Sequence, residues 1–284
     1  MGFHHKIIAL TYPFVRTVSS VTRLANVRRP KLRVLMYHDV GDDEMTNFLL
    51  TIDWLRKSWK FLSPEEFENV ISKKAEITQD SLLLTFDDGF ASNLAVAEEI
   101  LEPRDIRAIF FVIPDFIDRS NVTDIERFVV DRLKLLEVPQ KKCNMTWDNL
   151  SRLVELGHTI GSHSMSHESL IDGVSDDVIL REIIFAADRI EEMLSIRVRH
   201  FAFPFGDFSN IGRAAFKAAV SRYAFIHTGL RGDNSLEATR LNIRRDALKP
   251  CDSKSLVGAF LHGVADFRYR SFNRALDSWI EAEE

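Results

Sequence analysis

The sequence predicts an α/β fold in which parallel strands alternate with helices and the strands close into a barrel. From residue 33 onward, short apolar runs alternate with helical patterns, which is typical of a parallel sheet with helical crossovers. Seven such runs are found, and this number favours a barrel over an open sheet. Two of them end in polar residues that can bind a metal, as expected at the rim of a barrel where strands end and loops begin.

The elements follow one another without an internal repeat. Ser63 and Pro64 indicate a helix start, with serine as the N-cap and proline at the first helical position, and Gly157 indicates a helix end. Residues 114–145 form an insertion of mixed pattern. The predicted strands cover residues 33–38, 81–86, 108–113, 200–205, 223–228 and 240–245, with one more running into 161–163. The predicted helices cover residues 48–59, 92–101, 146–156, 176–194, 210–221 and 253–267, with one more opened by Ser63.

The distribution of charge divides the chain. The net charge is −5, yet residues 1–33 contain seven Lys or Arg residues and no acidic residue. We therefore predict a basic N-terminal leader at 1–32, a main domain at 33–250 and a C-terminal helical extension at 251–284. The main body is strongly acidic, which argues against nucleic acid as a partner, because phosphate binding needs clustered Lys and Arg.

The basic leader has two interpretations. Its apolar residues recur at loosely helical spacing, but no apolar run is long enough for a membrane span, and the segment is a poor secretory signal. It is either an amphipathic helix that makes peripheral membrane contact through residues 1–30 or a helix packed on the main domain. The location expected from this is cytoplasmic or at the inner membrane face, with an extracytoplasmic location left open.

Three segments place metal-competent or catalytic groups after strands: TFDDG at 85–89, GSHSMSH at 161–167 and FAFPFG at 201–206. Asp87 and Asp88 follow a buried strand, where carboxylates must be paired or bound to a metal to offset their desolvation. His163 and His167 are four residues apart, and on a helical turn their rings would face the same side and chelate one ion. One carboxylate and two imidazoles leave positions open for water and substrate, which indicates a catalytic metal site.

These three segments, in this order, resemble the polysaccharide deacetylase family, also called the NodB homology domain or carbohydrate esterase family 4. The resemblance covers about residues 33–250, and VLMYHDV at 34–40 is similar to the poly-N-acetylglucosamine deacetylase branch. It implies a distorted (β/α)7-type barrel, the NodB homology fold. It also implies a metal-dependent hydrolase that removes acetyl groups from N-acetylated amino sugars in a polysaccharide or glycan precursor.

The resemblance assigns roles to individual residues. Asp88, His163 and His167 would bind a divalent metal, with Zn²⁺ expected and Co²⁺ or Ni²⁺ as alternatives. Asp87 would stay off the metal and act as the general base. The backbone N–H of Phe205 would help to hold the oxyanion. Among the aromatic residues, we expect Phe205, Phe208 and Tyr37 to contact substrate.

Two positions depart from the family pattern. Many members carry an arginine where this chain has Ala202, so another residue must orient Asp87; within RLNIRRDAL at 240–248 we predict Arg244, with Arg245 as the alternative. The family commonly uses a late histidine as general acid, but His262 falls in a helical stretch. We therefore predict His38, whose alternative role is a hydrogen-bonded histidine beneath the metal ligands.

Other functions and other histidines stay open at this stage. The same fold could serve a weakly active or inactive glycan-binding protein, which the alanine at position 202 favours. The same site could also remove a formyl group or an O-acetyl group from a related sugar. His158 and His200 are predicted to be ordinary residues at strand boundaries, and His227 lies at the end of a strand that could bring it near the rim.

Overall fold

The computed structural model describes residues 29–136, 143–235 and 238–282. Of the predicted leader at 1–32, with its membrane contact through residues 1–30, residues 1–28 lie outside the described residues. Among the helices of the described ranges, none is both long and apolar enough to cross a membrane.

Eight strands form one parallel sheet. They are β1 (Leu32–Tyr37), β2 (Lys60–Phe61), β3 (Ser81–Phe86), β4 (Ala108–Val112), β5 (Thr159–Ser162), β6 (His200–Ala202), β7 (Phe225–His227) and β8 (Asp246–Ala247). Their order is β7-β6-β5-β4-β3-β1-β8, and β2 pairs with β3 beside this path.

The segment 243–247 connects the two ends of the sheet. Ile243 forms a parallel bridge with His227 in β7, and three residues later Asp246 and Ala247 pair with β1. The sheet therefore curls into a barrel, and the predicted α/β barrel is confirmed. The strand predicted for 240–245 is reduced to this bridge at Ile243, and the regular strand β8 begins only after the predicted range, at Asp246.

Helices connect the strands and cover the outside of the sheet. They are α1 (Met45–Leu55), α2 (Pro64–Ile71), α3 (Ser92–Ala95), α4 (Pro114–Ile117), α5 (Val122–Asp131), α6 (Trp147–Glu155), α7 (Asp176–Ile179), α8 (Ala186–Leu194), α9 (Arg213–Arg222), α10 (Lys254–Leu261) and α11 (Arg270–Glu281). A π-helical stretch, Val96–Leu101, continues α3, and a second one, Leu180–Phe185, joins α7 to α8. The helix predicted at 176–194 is therefore present along its whole length.

Local signals account for several boundaries. Ser63 and Glu66 form a reciprocal capping box at the start of α2, and Thr146 with Asn149 does the same for α6. The strand predicted at 200–205 ends at Ala202, because Pro204 has no N–H for the sheet and Phe205 has a left-handed backbone. The helix predicted at 253–267 stops at Leu261, before the left-handed Gly263.

Side chains of the strands alternate between two apolar layers. Val34 and Leu83 pack with Phe111 inside the barrel, whereas Leu35 and Leu84 pack with the outer helices. Gly161 makes room for the interior, because a Cβ at this position would lie 2.5 Å from the Phe111 ring. This alternation decides which residues beyond the strand ends point towards the barrel axis.

Candidate active site

The three segments selected from the sequence, 85–89, 161–167 and 201–206, meet at the carboxyl ends of neighbouring strands. Asp87 directly follows β3, His163 directly follows β5, and residues 203–206 follow β6. Parallel strands place these ends on one rim of the barrel. Together they border a cleft of about 800 Å³.

The backbone of this rim is held in an unusual conformation. Asp88, Ser164, His167 and Phe205 have positive φ angles of 75°, 64°, 59° and 61°. Each such residue costs roughly 1–3 kcal/mol, and strain of this kind is kept where the surrounding structure imposes it, often at functional sites. Each of the three segments contains at least one of these residues.

Asp88, His163 and His167 form a compact group of buried ligand atoms that lie within 4.8 Å of one another. The Nε2 atoms of His163 and His167 are 3.5 and 3.7 Å from Oδ1 of Asp88. That oxygen is buried, and no described residue forms a hydrogen bond with it. A buried carboxylate oxygen without a partner is unfavourable unless a cation lies beside it.

The other ring nitrogen of each histidine, Nδ1, contacts a backbone carbonyl. Nδ1 of His163 is 2.8 Å from the carbonyl of Ala202, and Nδ1 of His167 is 3.0 Å from the carbonyl of Arg132. Since a carbonyl only accepts, each Nδ1 carries a proton, and Nε2 is the ring nitrogen that each histidine turns towards Asp88. Burial lowers the pKa of His167 to about 4, so this ring is neutral near pH 7. The donor set therefore fits a divalent metal ion.

The predicted reason for the His163 and His167 pairing is wrong, although the pairing is found. Residues 163–167 are not helical, because Ser164 and His167 are left-handed. The turn brings the ring centroids to 5.1 Å at an interplanar angle of 63°. The two rings converge because a residue outside the loop holds it by hydrogen bonds, and not because of helical spacing.

Glu182 holds this loop in place, and this role was not predicted from the sequence. It lies in the π-helical stretch and is fully buried. Its carboxylate accepts hydrogen bonds from the N–H of Ser166 at 2.8 Å and from its hydroxyl at 2.7 Å, and its carbonyl accepts the N–H of Met165. The sequence feature that could have indicated this role is an acidic residue on the apolar face of a long helix, beside Ile179 and Ile183.

We expect Glu182→Gln to weaken metal binding by roughly 10–100-fold, because residues that support metal ligands have effects of this size. The variant should also lose about 1.5–3 kcal/mol of stability, the range for hydrogen bonds to a charged group. Metal titration and urea denaturation measure the two effects. Glu192→Gln, an exposed position on the same helical segment, is the matched control. Equal metal affinity in both variants would contradict the role of Glu182.

Asp87 is held by an arginine from the far end of the domain. Arg245 donates from Nη1 to Oδ1 at 2.6 Å and from Nη2 to Oδ2 at 2.8 Å, and both residues are buried. Its Nε donates to the carbonyl of Thr228 at 2.9 Å. Burial alone would raise the pKa of Asp87, but the charge and hydrogen bonds of Arg245, together with nearby His163 and His38, outweigh it and the pKa is lowered. Asp87 is therefore ionised near neutral pH, and its Oδ2 is 3.8 Å from Nε2 of His163.

The prediction that Arg244 orients Asp87 is wrong, and the alternative, Arg245, is found. Arg244 donates to the carbonyl of Asp233 and to the carboxylate of Asp277, both at 3.2 Å. Successive residues of extended backbone point to opposite sides, so only one of the two neighbouring arginines can enter the barrel.

The prediction that Tyr37 contacts substrate is also wrong, because side chains alternate along a strand and Tyr37 faces the outer side. Its ring packs outward against Phe48 and Phe86, it is buried, and it does not line the cleft. Its neighbours Met36 and His38 point the other way and do line the cleft. The side chain of His38 is exposed there, so it is not buried beneath the metal ligands.

Phe205 lies where the sequence predicts it, at the mouth of the cleft. Its partly exposed ring is 4.5 Å from that of His167, measured between centroids. Within the described part of the chain its N–H donates no hydrogen bond. Gly206 fixes the loop against Gly229, whose N–H donates to the Gly206 carbonyl, and a Cβ on Gly206 would lie 2.4 Å from that nitrogen.

Four other histidines of the described ranges lie outside this group. His227 is fully buried in the barrel, where its Nε2 is 3.0 Å from Nδ1 of His200, and His200 in turn contacts Glu68 at 2.9 Å. His158 accepts the N–H of Ala108 on its Nδ1. His262 caps the end of α10 and packs against Trp59. None of these four borders the cleft.

Comparison with known proteins gives matches to a family profile, to a curated protein and to solved structures. The family profile described as "Polysaccharide deacetylase" matches residues 74–224. The curated protein YxkH of Bacillus subtilis (strain 168) is 21% identical over 241 residues, which are 82% of this chain and 77% of that protein.

Solved structures show the same fold. IcaB from Ammonifex degensii superimposes with a TM-score of 0.65 at 21% identity, over 83% of this chain and 99% of that one. A Streptococcus pyogenes deacetylase, PplD, solved in complex with acetate, has the same TM-score and identity, over 82% of this chain and 99% of that one.

Proposed function

Because this chain belongs to the polysaccharide deacetylase family, we propose that it is a metal-dependent hydrolase that removes acetyl groups from N-acetylated amino sugars in a polysaccharide or glycan precursor. One observation carries the proposal: the Asp88, His163 and His167 group lies in the same cleft as Asp87, which is ionised by its pairing with Arg245. Arg245 thus takes the role of the arginine that many family members carry at the position of Ala202. This pairing favours an active enzyme over an inactive binding protein on the same fold.

Oδ1 of Asp88 and the Nε2 atoms of His163 and His167 would hold the metal. We propose Zn²⁺, because two neutral imidazoles and a carboxylate suit it, with Co²⁺ or Ni²⁺ as functional substitutes. When bound, the ion supplies positive charge that polarises the acetyl carbonyl and acidifies water. Three protein ligands form an open set, which is typical of catalytic sites.

Asp87 acts as the general base in this proposal. Its carboxylate is ionised, and Arg245 leaves it lone pairs that can accept a proton from the attacking water. The two hydrogen bonds from Arg245 also prevent the carboxylate from rotating. Asp87 is therefore positioned beside the metal ligands and is not needed as one of them.

Two further groups of the cleft complete the proposed mechanism. The free N–H of Phe205 would donate to the oxyanion that develops on the acetyl carbonyl, and the left-handed backbone there determines where this N–H points. The ring of His38 lies exposed in the cleft and would donate a proton to the departing amine.

The proposal predicts release of acetate together with one new amine per acetate. Purified full-length protein loaded with Zn²⁺ or Co²⁺ is incubated with acetylated chito-oligosaccharides, and acetate, formate and primary amine are quantified in parallel. Chelator-treated protein, before and after metal is restored, is the control.

Each alternative function has its own signature in this assay. Acetate without new amine indicates O-deacetylation, and formate from an N-formylated sugar without acetate from its acetylated counterpart indicates a deformylase. Glycan binding by the metal-loaded protein without any release of acid would mean that it is a binding protein.

A further inference from the structure

The active-site cleft has an apolar wall whose side chains take no part in the proposed hydrolysis. Leu133 and Leu135 line the cleft from the insertion after β4, and Phe205 lines it from the loop after β6. Both parts lie beside a metal-ligand candidate. The Arg132 carbonyl, directly before Leu133, is 3.0 Å from Nδ1 of His167, and the Phe205 ring is 4.5 Å from the same imidazole. We call Leu133, Leu135 and Phe205 the apolar wall.

The insertion at residues 114–145 gives this wall a rigid base. Leu133 is buried in a small core of its own, separate from the two layers of the barrel, together with Phe90, Phe116 and Phe128. The rings of Phe116 and Phe128 stack at a centroid distance of 5.0 Å. This packing fixes the end of α5 against the rim of the barrel.

Leu135 is held where it faces solvent. The chain turns after α5 through the left-handed Lys134, and the N–H of Leu135 donates to the carbonyl of Val129 at 3.2 Å. Leu135 is 37% exposed, Phe205 is 38% exposed, and Leu136, the next residue along the chain, is fully exposed. Neighbouring apolar groups left in water at the edge of a cleft are typical of a site for an apolar ligand.

Another side of the cleft is polar. His38, Asp39 and Glu44 lie on the segment after β1, and Lys249 lies on the segment after β8. Their side chains can exchange hydrogen bonds with the hydroxyl and amide groups of a sugar. Leucine side chains offer no hydrogen-bonding group and no aromatic face for a sugar ring. The cleft is therefore amphipathic, and its aliphatic part matches something other than a sugar.

We propose that the substrate is a glycolipid, in which an aliphatic chain is attached to the N-acetylated amino sugar. The sugar lies at the metal ligands, and the chain lies along the apolar wall and Leu136. This inference rests on the proposed function and narrows its substrate to a lipid-linked glycan precursor. The hydroxyl groups of a polysaccharide would lose their hydrogen bonds with water against leucine, whereas a row of methylene groups would gain by leaving water.

The test uses two monosaccharides, octyl and methyl N-acetyl-β-glucosaminide, which differ only in the length of the attached chain. The octyl compound is kept below its critical micelle concentration. Acetate release gives kcat/KM for full-length protein loaded with Zn²⁺, and calorimetry gives the affinity of Asp87→Asn, which lacks the proposed base. Both are repeated in the leucine variant, Leu135→Gln/Leu136→Gln, and in the control Leu50→Gln/Met193→Gln, which alters two exposed apolar residues outside the cleft.

We expect the octyl compound to be preferred at least roughly tenfold in kcat/KM and in affinity, because burial of about two methylene groups is enough for a tenfold gain. The leucine variant should lose this preference and the control should keep it. Equal values for the two compounds in wild type, or a preference that the leucine variant retains, overturns the proposal.

Two further measurements separate this proposal from its alternatives. Faster release from acetylated chitotetraose than from either monosaccharide, without an octyl preference, overturns the glycolipid substrate and leaves the deacetylase function standing. A leucine-dependent octyl preference in affinity, without acetate release from any compound, supports the lipid site and contradicts the deacetylase function. Co-sedimentation with phosphatidylcholine vesicles that the leucine variant loses, without an octyl preference, assigns the leucines to membrane contact and overturns the proposal.

Discussion

Alanine at both His163 and His167 is expected to remove the bound metal and, with it, almost all activity. The two Nε2 atoms supply two of the three ligand atoms around Asp88, so Asp88 alone cannot hold an ion. Metal polarisation contributes several kcal/mol to such reactions, and each 1.4 kcal/mol is tenfold in rate, so activity should fall by about three orders of magnitude or more.

Metal content after purification, measured by mass spectrometry, checks this prediction alongside acetate release. His158→Ala is the matched control, since it also removes a buried imidazole but one that lies outside the cleft. The control should lose stability through the Ala108 N–H that it leaves unpaired, and it should keep its metal. Full metal occupancy in the histidine double variant would rule out the proposed metal site.

The second large effect is expected at Asp87 and Arg245. Asp87→Asn should lower the rate by roughly 10²–10⁴-fold, the usual contribution of a general base, while metal content is retained. Arg245→Gln should lower activity and also destabilise the protein by about 3–5 kcal/mol, because it leaves a buried carboxylate without its partner.

A double-mutant cycle separates these two roles. The variant Asp87→Asn/Arg245→Gln removes the unpaired charge, so it should be more stable in urea than Arg245→Gln alone. It should be no more active than Asp87→Asn, since the base is missing in both. Additive losses of stability would mean that the two residues act independently, contrary to the geometry.

Several features of this protein follow from local sequence alone. Strand β3 spans Ser81–Phe86 as predicted, because six apolar or small residues are bounded by polar ones. The capped start of α2 follows from Ser63 and Pro64. Asp87, Asp88, His163 and His167 could be selected because they follow buried strands, and parallel strands bring such ends to one rim.

The family could also be identified from three motifs in the family's order, and the profile match over residues 74–224 confirms this assignment. Motifs of this kind are contiguous in the chain, so their detection requires no knowledge of contacts between distant segments. The same is true of the barrel itself, since strand number and alternation are properties of the linear pattern.

The structure alone decided the contacts that depend on side-chain direction and on distant segments. Arg245 rather than Arg244 reaches Asp87, and Tyr37 faces away from the cleft, because a shift of one residue along an extended chain reverses the side that a residue faces. Glu182 fastens the loop of His163 and His167 from a helix later in the chain. The sequence by itself therefore determined the barrel and the metal-ligand candidates, whereas tertiary packing decided which partners orient them.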